Sequence, residues 1–290
     1  MKGKLHFFLV LSCLFLFGCA QNTDKSGQST KIKKPYEMSY EQIHQLLKGY
    51  DDDWPDYPSD QSREIPAPPI QKPYPEDAVF VDLMKPEDIK IGNVPLFRII
   101  NQRRSRRSYT NESLSIEELS LLLWCTQGIS KIVHREDGTV AYHLRTVPSG
   151  GARHPFETYL LINRVNGVEQ GVYRYLPVEH KLLFLYEEKK LAKKITEACQ
   201  GQTFVGQAAV VFVWAAIPYR TEWRYAFMAH RDIAIEMGHI CQNLYLTSES
   251  IGGGACAILG YNQNKLDQFI GVDGEKEFAV YMAAMGKIER

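Results

Sequence analysis

The chain has 290 residues, and its 34 Lys and Arg balance 34 Asp and Glu, so the formal net charge is zero. A neutral chain has no global field to hold nucleic acid or an anionic membrane, so any basic cluster must act locally. Hydrophobic residues make up 44%, which suits one globular domain with appendages.

Taken in chain order, Lys2 and Lys4 open a basic start, Leu5 to Phe17 form an apolar run, and Leu16-Phe17-Gly18-Cys19 closes it in the manner of a bacterial lipobox. The run is shorter than the roughly 20 residues of a spanning helix. The pattern predicts a lipoprotein signal peptide over 1–18, cleavage before Cys19, and acyl chains (palmitate among them) on Cys19. That would anchor the protein to a membrane of the cell envelope, facing the periplasm or exterior. A plain secretory peptide is the alternative. No twin-arginine pair precedes the run, so export is expected in unfolded form. Cys125, Cys199, Cys241 and Cys256 have no CxxC spacing and read as small buried hydrophobes.

Residues 20–38 are polar and read as a tether. A short helix is predicted over Ser39–Lys48, with Ser39 and Gln42 as a capping box and Gly49 as its stop. Asp51 to Asp53 and a run containing Pro55, Pro58, Pro66, Pro68, Pro69, Pro73 and Pro75 follow as a stiff linker. Residues 19–78 are thus expected to be anchor, tether and linker, and 79–290 the folded domain.

Within that domain, helices are predicted over Leu96–Gln102, from Ser115 (with Glu118 completing a capping box) to Gly128, over Leu191–Cys199, and over a long stretch from Glu222 to Ser250. Strands are predicted over Phe156–Ile162, Gly171–Tyr175, Leu182–Tyr186, Ala208–Ile217 and Phe278–Met285. The irregular order of helices and strands points to an α+β class with a central mixed sheet flanked by helices and a long buried helix.

Three segments carry chemistry. Arg103-Arg104-Ser105-Arg106-Arg107-Ser108-Tyr109 packs four guanidinium groups and two serine hydroxyls together, a set that suits a phosphate monoester, with a solvated basic face or a nuclear-localisation-like patch as the alternative when the segment is taken alone. Val147-Pro148-Ser149-Gly150-Gly151-Ala152 and Ile251-Gly252-Gly253-Gly254-Ala255-Cys256 are glycine-rich and allow backbone to approach a planar ligand. Neither matches a nucleotide-binding fingerprint. Among the histidines, His230 and His239 are nine residues apart on one predicted helix and point to different faces, so no metal site is expected. Asp232 and Glu236 form an i,i+4 carboxylate pair on the same helix and read as structural or solvated.

In this order, together with Leu122-Leu123-Trp124, Gly171-Val172-Tyr173-Arg174-Tyr175, Gly238 to Leu244 and Gly286-Lys287, these segments resemble the nitroreductase superfamily of FMN-dependent oxidoreductases. The nearest branch is the SagB/ThcOx-type dehydrogenases, and the resemblance covers roughly residues 79–290. It implies a nitroreductase-like fold, bound FMN and a homodimer with FMN at the interface. It places Arg103, Arg104, Ser105 and Arg107 at the FMN phosphate and ribityl chain, with Lys287 as a further phosphate ligand. Pro148, Ser149, Gly150 and Gly151 would lie beside the flavin, and Gly252, Gly253 and Gly260 would cover its ring.

The branch carries a Lys-Tyr pair where this chain has Arg224-Tyr225, its candidate catalytic residues. Arginine does not give up its proton, so a general-base role passes only to Tyr225. Arg153-His154 is a second departure, replacing a Leu-Tyr pair common in relatives. An exported enzyme would lack NAD(P)H, which favours dehydrogenation of a small-molecule or peptide substrate, with electrons exchanged with a membrane partner or another acceptor. The alternative is a membrane-anchored flavin-binding accessory or electron carrier without turnover of its own.

Overall fold

The computed structural model describes residues 37–49 and 58–289. The expected signal peptide, Cys19 and most of the tether lie outside the described residues. The chain divides into two units, Met1–Gly49 and Tyr50–Arg290. In the first, α1 spans Tyr40–Gln45, and Ser39 and Gln42 form the expected capping box. The helix stops three residues short of Lys48. Leu46 and Leu47 are exposed, so no packed face extends the helix beyond its own propensity.

In the second unit the described helices are α2 (Leu96–Gln102), α3 (Ile116–Gln127), α4 (Leu191–Ala198), α5 (Thr203–Gln207), α6 (Tyr219–Tyr225), α7 (Ala229–Ser250) and α8 (Gln263–Ile270). The strands are β1 (Phe80–Asp82), β2 (Ile129–His134), β3 (Val140–Arg145), β4 (Phe156–Ile162), β5 (Gly171–Leu176), β6 (Lys181–Tyr186), β7 (Val210–Ala216), β8 (Gly253–Ile258) and β9 (Phe278–Lys287). Seven form one sheet in the order β1-β6-β5-β4-β7-β9-β8, and β2-β3 form a separate hairpin.

Every residue of β4 and β7 is buried, because helices cover both faces of the sheet. Side chains alternate between two cores. Leu160, Phe212 and Trp214 face α3 and α7, where Leu119, Leu122, Ile240 and Leu244 complete one core. Leu161, Val211 and Val213 face α4, α5 and α8, with Ile195, Val205 and Leu266. The layers are helix, sheet, helix, and the α+β class holds.

Three features depart from the sequence pattern. The seven-stranded sheet is antiparallel in every ladder rather than mixed; parallel pairing is confined to single bridges, Ser105 with Ala255 and Leu114 with Val165. Short connections link β4-β5-β6, the excursions from β6 to β7 and from β8 to β9 re-enter the sheet at the end they left, and only the β7-to-β8 connection through α6 and α7 crosses to the other end. The long predicted helix is broken: Ala226 takes φ 46° and ψ −128°, a conformation no helix contains, and a 3-10 turn over Ala226–Met228 separates α6 from α7. In the second glycine segment the turn takes only Ile251 and Gly252, the latter at φ 74°; Gly253 onward forms edge strand β8.

The proline-rich run packs onto this unit. The indole Nε1 of Trp223 donates to the Ile65 carbonyl at 2.8 Å, and Arg145 Nη2 donates to the Ile70 carbonyl at 3.2 Å. Arg174 Nη2 donates to the carbonyls of Lys72 and Pro73 at 3.0 and 2.9 Å. Tyr74 meets Phe80 edge-on, with ring centroids 5.2 Å apart.

Candidate functional site

The arginine segment leaves α2 in extended form and runs beside β8. Ser105 bridges Ala255, and the Arg106 amide donates to the Ala255 carbonyl at 2.9 Å. Arg103 lies over the Tyr245 ring, 5.2 Å from its centroid, and Ser105 Oγ is 3.0 Å from the Tyr245 hydroxyl. Arg103 and Ser105 therefore converge on one residue of α7. Arg107 lies 5.9 Å from the Phe204 ring centroid, and burial pushes the Cys256 thiol up while the Arg107 charge acts against that push. Arg104 folds back onto its own chain, donating to the carbonyls of Asn101 and Arg103 at 3.1 and 2.7 Å.

Arg106, which the resemblance did not single out, crosses directly over Gly254. A Cβ there would sit 2.4 Å from Arg106 Cγ, so only glycine lets the segment lie this close to β8. Arg106 Nη2 is 3.9 Å from Glu249. Ser105 to Thr110, with Ile288 and Glu289, line a cavity of about 340 Å³.

Lys287 pairs in register with Gly253, so the end of β9 and the start of β8 do lie at the arginine end of the molecule. Its ammonium is engaged, however, donating to Glu118 and to the Ile251 carbonyl at 3.2 Å. Glu118 also closes the capping box of α3, so one carboxylate serves both the helix start and the strand end. Gly260 lies elsewhere, in the loop after β8, where its carbonyl accepts from Gln202 Nε2 at 2.9 Å.

The other glycine segment is held from the opposite part of α7. A single oxygen of Glu236 accepts from Ser149 Oγ at 2.8 Å and from the Gly150 amide at 2.7 Å, and Ser149 Oγ accepts from the His154 amide at 2.8 Å. Gly151 (φ 55°), Ala152 (54°) and His154 (47°) all adopt positive φ. A Cβ on Gly151 would lie 2.7 Å from Arg224 Cδ and 2.9 Å from the Tyr225 hydroxyl oxygen, so the turn and the Arg224-Tyr225 pair are in direct contact. Pro148, Ser149, Gly150, Asp232, Ile235, Glu236 and His239 line a second cavity of about 340 Å³.

Glu236 is the candidate site residue that sequence reasoning set aside as structural. It is buried, and burial raises its carboxyl to about 7 despite the bonds from Ser149 and Gly150 that favour the charged form; nearby Asp232 adds to the rise. Its i,i+4 spacing from Asp232 suggested a structural pair. The available signal was position, since Glu236 shares the inward helix face with Ile233 and Ile240. Glu236 and Tyr245 are nine residues apart, so the Ser149 turn and the arginine segment lie about 14 Å apart along α7 and on opposite faces of it. Gly252 and Gly253 lie at the arginine end of that helix.

Two candidate half-sites therefore flank α7, a cationic, hydroxyl-bearing segment on one face and a backbone-rich turn beside a tyrosine and an arginine on the other. The profile of the nitroreductase family matches residues 100–287, a span that contains both. The chain is 30% identical over 211 residues to the nitroreductase-family protein MJ1384 of Methanocaldococcus jannaschii, covering 73% of this chain and 98% of that one. It is 31% identical over 115 residues to the trifolitoxin-processing protein TfxB of Rhizobium leguminosarum bv. trifolii, covering 38% of this chain and 31% of TfxB. The fold is shared with a nitroreductase structure from Ralstonia eutropha (TM-score 0.59, 24% identity, 78% of this chain and 100% of that one). It is also shared with one from Anabaena variabilis (TM-score 0.56, 24% identity, 67% of this chain but only 38% of that one). A third match is the E. coli microcin synthetase McbBCD complex with truncated pro-MccB17 bound (TM-score 0.53, 21% identity, 72% of this chain and 78% of that one). The family match over most of the folded unit and the near full-length match to MJ1384 establish that this chain belongs to the nitroreductase family of flavin-dependent oxidoreductases.

Proposed function

We propose that the protein is an FMN-dependent oxidoreductase of the SagB-type dehydrogenase branch, held in the cell envelope by lipid on Cys19 and acting as a homodimer. The observation that carries this reading is the arginine segment locked beside β8, with Arg103 and Ser105 sharing Tyr245 on the helix that also anchors Ser149 and Gly150. The donor set fits the cofactor: guanidinium and hydroxyl groups, with no carboxylate among residues 103–109, suit a phosphate. When bound, FMN supplies hydride exchange at N5 with an organic substrate.

Around it, Arg103, Ser105 and Arg107 would hold the phosphate. Lys287 would join them only by releasing Glu118, and its principal duty in this reading is to fix the end of β9. The backbone of Pro148 to Gly151 would lie against the ring, kept in place by Glu236. Tyr225, against Gly151, is placed to give or take a proton at its hydroxyl, while Arg224 keeps its charge and orients anionic groups.

The TfxB match supports the peptide-modifying branch, though the chain covers less than a third of that protein. Exposed Leu96, Phe97 and Ile100 on α2 supply apolar surface that supports self-association. Protein incubated with FMN should turn yellow and keep the flavin through desalting; a colourless product sinks the reading. Rapid saturable reduction by NADPH would instead favour an NAD(P)H-dependent reductase. The replacement of lysine by Arg224 favours one further reading, a flavin-binding accessory or electron carrier, which retained flavin with no reduction by any donor would support.

A further inference from the structure

Positive charge is concentrated in one more place, under the proline-rich strap. Glu157 is buried, accepts from Arg220 Nη2 at 2.5 Å and lies 3.9 Å from Arg174 Nε. Arg145, also buried, donates only to neutral acceptors: His143 Nε2 at 3.2 Å, the Gln127 side chain, and the carbonyls of Ile70 and Phe156. Arg153 adds a fourth guanidinium, donating to the Gly151 carbonyl at 2.9 Å and lying over Trp223. Buried charges are ordinarily paired, and of these four guanidinium groups only Arg220 and Arg174 meet a carboxylate, both the same Glu157. The nearby imidazoles register the excess. His143 is pushed down to about 3 by burial and by Arg145, Arg220 and Arg153, so it stays neutral.

A cavity of about 410 Å³ opens onto this cluster. Residues 66–70 form one wall, and Arg135, Tyr142, His143, Arg153 and Arg220 are among the others; no carboxylate lines it. The wall is fixed at both ends, by Trp223 on Ile65 and Arg145 on Ile70, and its prolines are stiff. Arg220 Nη1 and His143 Nδ1 are buried without a hydrogen-bond partner among the described residues. The volume falls within the roughly 300–1,000 Å³ of small-molecule sites, large enough for an organic body as well as an anionic group.

We propose that this cavity anchors the carboxylate of an organic-acid substrate, held by Arg153 and Arg220 with Arg135 at the mouth. Planar guanidinium forks match a carboxylate bidentately, and the proline and tyrosine walls receive the apolar body. The proposal rests on the oxidoreductase reading for its purpose, because Arg153 follows the Gly150-Gly151 turn after one residue and would hold the substrate's reacting end toward that turn.

The test is calorimetric titration of FMN-treated protein at low salt with benzoate, hexanoate, inorganic phosphate and the neutral benzyl alcohol. The expected result is one saturable site for at least one carboxylate, at least tenfold tighter than phosphate, and no heat from the alcohol. Arg153→Gln, at a half-buried position, should weaken that site about tenfold, and Arg135→Gln should weaken it less. Absence of carboxylate binding, phosphate binding equally well, or indifference to Arg153→Gln would overturn the proposal. The flavin band of the same sample separately decides the oxidoreductase reading, so the two can fail independently.

Discussion

At the scale of single residues, Glu236 makes the protein's stability depend on pH in a stated direction. Its folded carboxyl titrates near 7, against 4.5 for an ordinary glutamate, so the native state holds an extra proton between those values. Its contribution is therefore fully present below about pH 4.5, falls as pH rises through 7, and is lost above it, on the order of 2–3 kcal/mol. Urea midpoints measured from pH 5 to 8 should show this decline in the wild type and not in Glu236→Gln. Arg107→Ala should reduce flavin retention about tenfold or more while leaving the circular dichroism spectrum unchanged, since the Arg107 side chain is exposed and meets the Phe204 ring only at 5.9 Å. A third substitution addresses strain. Ala226 holds φ 46° and ψ −128°, which costs a side-chain-bearing residue about 1–3 kcal/mol. Ala226→Gly should relieve part of that against the extra freedom of the unfolded chain, for a net gain of about 1 kcal/mol in chemical denaturation.

At the scale of elements, α3 shows what local sequence can specify. Ser115 and Glu118 form the capping box and Gly128 ends the helix, as their spacing predicts. Ser115→Ala should cost about 1 kcal/mol of stability, read from the denaturation midpoint. Strands β4 and β7 were equally legible, because burial on both faces leaves unbroken apolar runs. Legibility failed where the determining contact is distant in sequence. β8 reads as a glycine turn because its small residues are explained only by what lies over them, Arg106 on Gly254 and the Met285 side chain against Gly253. The break at Ala226 has no glycine or proline to announce it. The hairpin β2-β3 carries a register shift and exposed faces, so its alternation is weak. For the candidate site, the arginine and serine segments were visible as composition, but their relation to Glu236 and Tyr245 depends on the tertiary placement of α7.

At the scale of the whole molecule, the strap over residues 58–78 is a structural part of the second unit, and the folded region we propose begins at 58 rather than 79. It supplies carbonyl acceptors to Arg145, Arg174 and Trp223. Deleting it would leave two buried guanidinium groups short of partners, at about 1–3 kcal/mol for each unsatisfied group. A chain lacking residues 58–78 should melt roughly 10 °C lower, or fail to fold, whereas one lacking only 37–49 should melt within about 2 °C of the full chain. Differential scanning calorimetry of the two deletions separates these outcomes.

The position of β9 sets a constraint in time. It is the last of the described strands in chain order, yet it lies inside the sheet, between β7 and β8. Until β9 inserts, β8 has only the single Ser105 bridge beside it and β7 lacks one of its two neighbouring strands. The sheet closes only once β9 is in place, so a chain cut before Phe278 stays open to chaperones and proteases, and insertion of β9 becomes the commitment step for folding.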